Sequence, residues 1–131
     1  MCLFIGNTKQ NKPKKPQKVY KVYSQEANGR KCSLHQRVDV NLHAGRLVRS
    51  NRSHTYLSQT ERINDKIFYG LHVFTNKKDA YNFAKMYDSR IAAIFVELVG
   101  RPEDFVARGT TGSGVKSAVY TKLRVLKVYR R

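Results

Sequence analysis

Tryptophan is missing from this 131-residue chain, proline occurs three times, cysteine twice, and only nine acidic residues stand against 26 Lys and Arg. Each shortage excludes something. Two cysteines, Cys2 and Cys32, cannot build a disulfide framework, and neither has a second Cys or a His at metal-finger spacing. A reduced protein is therefore expected, with Cys32 serving packing alone. No apolar run approaches the ~18 residues of a membrane helix, and the short apolar opening before Gly6 falls below the ~7 to 15 residues of a secretory signal. The expectation is a cytoplasmic protein that uses neither membrane nor export. The shortage of acids leaves a formal charge of +17. Charge of that size destabilises a compact chain by self-repulsion, which a polyanionic partner would relieve.

The excess charge is concentrated. Residues 1–23 hold six Lys and no acid, residues 115–131 hold six Lys or Arg and no acid, and the stretch between them is close to balanced. Lys12, Lys14 and Lys15 lie among Pro13 and Pro16, which lack backbone donors and extend the residues before them, so an exposed arm or connector is expected at about 9–18 of one single domain. With Lys18 and Lys21 the arm offers phosphate contacts. A second set is Lys116, Lys122, Arg124, Lys127, Arg130 and Arg131. Tyr20, Tyr23, Tyr120 and Tyr129 are interleaved with these cations and could stack on unpaired bases, although at strand spacing several of them must be core.

Hydrophobic residues make up 40% of the chain, enough for a core. Val19–Tyr23 is rich in β-branched and aromatic residues, and Asn28-Gly29 supplies a hairpin turn toward Arg30–His35. Alternation marks a strand at Arg37–Leu42, whereas Arg46–Thr60 is polar and reads as a long loop or weak strands. Gly70–Thr75 is a strand leading into Asn76, a helix cap, and Ala80, Phe83, Ala84 and Tyr87 form one apolar stripe. This predicts the principal helix over about 77–87. Ile91–Val96 is apolar throughout, as a strand covered on both faces would be. Phe105–Ala107 predicts a short strand, and Val115–Tyr129 one or two closing strands with Val119, Leu123 and Val125 opposite Tyr120, Lys122 and Arg124. The class is α+β, a mostly antiparallel sheet with one principal helix.

Few residues suggest catalysis. Gly109–Ser117 nearly spells a phosphate loop, but Val115 separates Gly114 from Lys116, so amides and ammonium would not converge on one phosphate chain. Removal of Met1 would leave Cys2 with its α-amino group beside its thiol, the arrangement of an N-terminal nucleophile; the alternative is a small buried residue opening a strand. His35, His43, His54 and His72 show no metal-ligand spacing, and neither cofactor nor metal is expected. His72 alternates with Leu71 and Val73, so it either faces solvent or lies in a pocket as acid, base or anchor. Glu97 is a lone carboxylate in an apolar strand.

Taken together, Met1-Cys2-Leu3-Phe4, Tyr20-Lys21-Val22, Gly70-Leu71-His72-Val73-Phe74 followed by Ala80, and the strand at 91–100 resemble a group of small phage-encoded proteins. Leu71 stands where that group usually has an aromatic. The resemblance implies an accessory protein in the host cytoplasm or the virion. Gly70–Thr75 with Ala80 and Ala84 is also similar to a pattern in ADP-ribosyltransferases, whose paired early His and late Glu have no counterpart here. The expected partner is nucleic acid, a nucleoprotein such as a host-defence complex, or an acidic protein surface; the alternative is a small enzyme using Cys2 or His72.

Overall fold

The computed structural model describes residues 3–4, 11–25, 31–33, 43–49, 62–63, 66–67, 70–87, 92–111 and 114–129. Their strands are β1 (Leu3–Phe4), β2 (Gln17–Gln25), β3 (Lys31–Ser33), β4 (Leu47–Arg49), β5 (Arg62–Ile63), β6 (Lys66–Ile67), β7 (Leu71–Phe74), β8 (Ala92–Gly100), β9 (Phe105–Thr110), β10 (Lys116–Tyr120) and β11 (Lys122–Tyr129). The helix, α1, is Lys77–Tyr87, and a 3₁₀ turn spans Pro102–Asp104. All strand pairings among the described residues are antiparallel, in the order β4-β11-β8-β2-β7-β10-β9-β1-β6-β5, with β3 added beside β2. The α+β class expected from the sequence is the class observed.

The sheet curls so that one face closes on itself. β10 and β11 are nearly continuous, joined by Thr121 alone, yet β10 pairs with β7 and β9 while β11 pairs with β8 and β4. Thr121 donates its backbone N–H to the Asp104 carbonyl at 2.9 Å, which fixes this corner. The corner also corrects the alternation expected across 115–129. Strand parity resets at Thr121, so Tyr120 enters the same core as Leu123 and Val125 instead of facing away from them. Inside the curl, Val19, Tyr23, Val73, Val96, Leu98, Ala118, Tyr120, Leu123 and Val125 make the main core. Gly100 is required there. A Cβ at that position would lie 2.4 Å from the Tyr120 ring, which closes against the β8 backbone.

The helix lies on the opposite, outer face. Asn76 caps it, its Oδ1 accepting the Lys78 N–H at 2.9 Å. Ala80 and Ala84 are fully buried, and their small side chains let α1 approach Val22, Phe74 and Phe95 closely. Phe83 adds a tilted ring contact with Phe74 at 5.1 Å. β8 is therefore covered on both faces at its Phe95 end, as its continuous apolar sequence predicts. The expected hairpin forms between β2 and β3, with Tyr23 opposite Ser33. One weak strand, β4, appears in the polar stretch after Arg46. The strand expected at 37–42 lies outside the described residues.

Candidate functional site

Strand parity sorts the basic residues of β2, β8, β11 and β4 by face. On β2, Val19 points into the curl and Lys18 away from it; on β11, Leu123 and Val125 point inward and Lys122 and Arg124 outward; on β4, Val48 points inward and Arg49 outward. Register aligns them. Lys18 lies opposite Val99, Val99 opposite Arg124, and Arg124 opposite Leu47, while Lys122 lies opposite Arg49. Cross-strand partners share a face, so Lys18 and Arg124 stand about 10 Å apart, two strand spacings. A bulge between Val125 and Lys127 returns Lys127 to this face, opposite Glu97. Lys18, Arg49, Lys122, Arg124 and Lys127 thus share the outer face at the end that α1 leaves bare. The two basic ends of the chain, remote in sequence, become neighbours across β8.

One acid interrupts the set. Glu97 lies 3.8 Å from the Lys18 ammonium and accepts a hydrogen bond from the Tyr129 hydroxyl at 3.3 Å. Its side chain is only 14% exposed, whereas that of Lys18 is 68% exposed, so the cation dominates what solvent meets. Arg124 Nη1 donates to the Gly45 carbonyl at 2.9 Å, which orients the guanidinium along the face. The Lys127 and Lys77 ammonium groups lie 4.7 and 5.2 Å from the centre of the Tyr129 ring. That ring also packs edge-on against Phe95, on which Tyr20 is stacked.

The remaining sequence candidates fall elsewhere. Lys12, Lys14 and Lys15 are exposed on the arm, which has no regular structure over residues 11–16. The arm is tied by Arg108 Nη2, which donates to the Asn11 carbonyl at 2.7 Å. The strand claims Gln17 and Lys18, so the arm ends earlier than the proline pattern suggests. Lys116 is exposed, but its parity with Ala118 and Tyr120 directs it to the inner side of the sheet, away from the row. Arg130, Arg131 and Cys2 lie outside the described residues.

Lys21 is not part of the exposed set. It shares the inner face with Val19 and Tyr23, and its ammonium donates to the His72 carbonyl at 2.8 Å, near the point where β2 leaves β7 for β3. Desolvation lowers its pKa to about 8. Burial likewise raises the pKa of Tyr23, and pushes that of Tyr120 up to about 12 against the opposing field of Arg108. Both hydroxyls belong to the core, and Tyr120 donates to Gln17 Oε1 at 3.2 Å.

His72 is also buried, with Nδ1 3.3 Å from the Gly70 carbonyl. The Gly/Thr loop after β9 returns directly into β10, with the Thr111 N–H donating to the Val115 carbonyl at 2.8 Å. It opens a strand, so no helix N-terminus stands there to receive phosphate. Among the described residues no three His, Cys, Asp or Glu side chains cluster as metal ligands, and no helix is long and apolar enough to cross a membrane.

Sequence reasoning identified the basic residues except Arg49 and Lys77. Arg49 sits in a polar stretch read as a long loop or weak strands, with nothing to say which residues pair, and Lys77 joins because the first turn of α1 lies beside Tyr129. No protein family, curated protein or solved structure matches this chain.

Proposed function

We propose that this chain is a basic accessory protein, of the kind phage genomes encode, that docks on nucleic acid or on a nucleoprotein complex in the host cytoplasm or the virion. The observation that supports this reading is the alignment of Lys18, Arg124 and Lys127 with Lys122 and Arg49 on one sheet face that α1 does not cover, with Glu97 the acid among them in the described residues. The strands set the spacing of these cations, and each neutralised phosphate releases a counterion. The arm lysines Lys12, Lys14 and Lys15 extend the positive field from the same end of β2. In this reading the exposed cations contact phosphate, so the partner's charge and shape are what the surface recognises.

The test is fluorescence anisotropy with labelled mixed-sequence nucleic acid. If about five phosphates are neutralised, affinity should fall by roughly 10² to 10³ between about 50 and 200 mM salt. Absence of binding at the lower salt would reject the reading. Capture of an acidic protein by a chain that ignores nucleic acid would replace it with a protein-docking role.

A further inference from the structure

We infer that the basic face takes the phosphodiester backbone of a duplex and not the unstacked bases of a single strand. This deepens the nucleic-acid reading above and rests on it. Proteins that prefer single strands combine a basic groove with aromatic faces on which bases stack. Of the eight tyrosines, four are interleaved with the basic residues, Tyr20, Tyr23, Tyr120 and Tyr129, and the fold occupies all four. Tyr23 and Tyr120 are 1% and 0% exposed inside the curl. Tyr20 is half-buried and stacked on Phe95, ring centres 5.6 Å apart with 19° between planes. Tyr129 has Phe95 at its edge, Lys77 and Lys127 over its ring and Glu97 on its hydroxyl. Stacking a base on Tyr129 would displace cations that themselves bind phosphate.

What the described residues of this sheet face offer a partner is a row of charges on a right-twisted sheet. A ligand recognised by charge alone is preferred in proportion to its charge density. Duplex DNA presents one charge per ~1.7 Å and releases about 0.9 counterion per contact, against about 0.7 for a single strand. With five cations the expected salt slopes are about −4.5 for the duplex and about −3.5 for the single strand. Base sequence should have no effect on either.

The experiment compares the full chain on a duplex and on an unstructured single strand of equal length, roughly 20 nucleotides, by anisotropy between about 50 and 200 mM salt. Duplex binding at least as tight as single-strand binding, with the steeper slope, is the expected result. Arg124→Gln should weaken both ligands by a similar factor, because it removes a phosphate contact common to them. Tighter binding to the single strand overturns the inference while leaving the nucleic-acid reading in place. Binding to neither overturns both.

Discussion

Replacing Lys21 by Met should change how the stability of this protein responds to pH. The Lys21 ammonium sits on the core face with one hydrogen bond, to the His72 carbonyl, and its pKa is lowered from 10.5 to about 8 by desolvation. The unfolded chain therefore holds this proton more tightly than the folded one. Stability rises with pH wherever the unfolded state binds more protons, so the gain begins as pH passes 8 and continues to 10.5. At about 1.4 kcal/mol per pKa unit, the wild-type protein should gain roughly 2 to 3 kcal/mol from this residue between pH 7 and pH 10. Met fills the stem's volume without the charge. At pH 7 the variant is relieved of the desolvation cost but leaves the His72 carbonyl without its donor, a penalty of about 1 to 3 kcal/mol, so the two proteins should be close in stability there. By pH 10 the wild type should be ahead by roughly 2 kcal/mol or more. Other lysines titrate in the same window, and the difference between the two proteins cancels them. Urea denaturation at pH 7, 8, 9 and 10, followed by circular dichroism, measures that difference. Above pH 10 the raised pKa values of Tyr23 and Tyr120 act the other way, since the unfolded chain then loses phenolic protons that the folded one keeps, and stability should decline. Parallel pH curves for wild type and K21M would refute the placement of the ammonium in the core.

Three further substitutions test other parts of the structure. Asn76→Ala removes the side-chain acceptor from the first turn of α1 and should cost about 1 kcal/mol, read as a lower urea midpoint with unchanged slope. Gly100→Ala drives a methyl group into the Tyr120 ring and should cost roughly 1 to 3 kcal/mol; a neutral result would mean that β10 does not close over β8 as described. Glu97→Gln removes the acid between Lys18 and Lys127 and should tighten nucleic-acid binding several-fold at low salt, with the gain fading as salt rises. Weaker binding by this variant would mean that Glu97 serves the interface by holding Tyr129 and Lys18 in place.

Local signals in the sequence were sufficient for local structure. The cap at Asn76 and the stripe Ala80, Phe83, Ala84, Tyr87 specified α1, and the continuous apolar run of β8 announced a strand buried on both faces. Two features depended on contacts that alternation cannot express. A single residue, Thr121, turns one apparent strand into two that serve different parts of the sheet, and this reverses which face Tyr120 occupies. Lys21 reads as one more cation in a basic segment, yet its odd position beside Val19 and Tyr23 assigns it to the core face. The site itself was legible as composition but not as geometry. Segment counting separated two basic ends, whereas their convergence across β8 follows from two long-range registers, Lys18 opposite Val99 and Val99 opposite Arg124. Arg49 needed tertiary pairing with Lys122 to be seen at all.

Under the proposal, nucleic acid meets the outer sheet face that α1 leaves open, and binding does not follow the net charge of +17 as such. The most direct measurement compares two triple variants of equal charge by the salt dependence of duplex binding. One is Lys18→Gln, Arg124→Gln, Lys127→Gln on the face, and the other is Lys77→Gln, Lys78→Gln, Lys85→Gln on the helix, each first shown to be folded by circular dichroism. The face variant should lower the magnitude of the salt slope by nearly three, and the helix variant, which touches the face through Lys77, by about one or less. Equal losses from the two variants would contradict the proposal, because binding would then follow total charge and not the row that the sheet assembles.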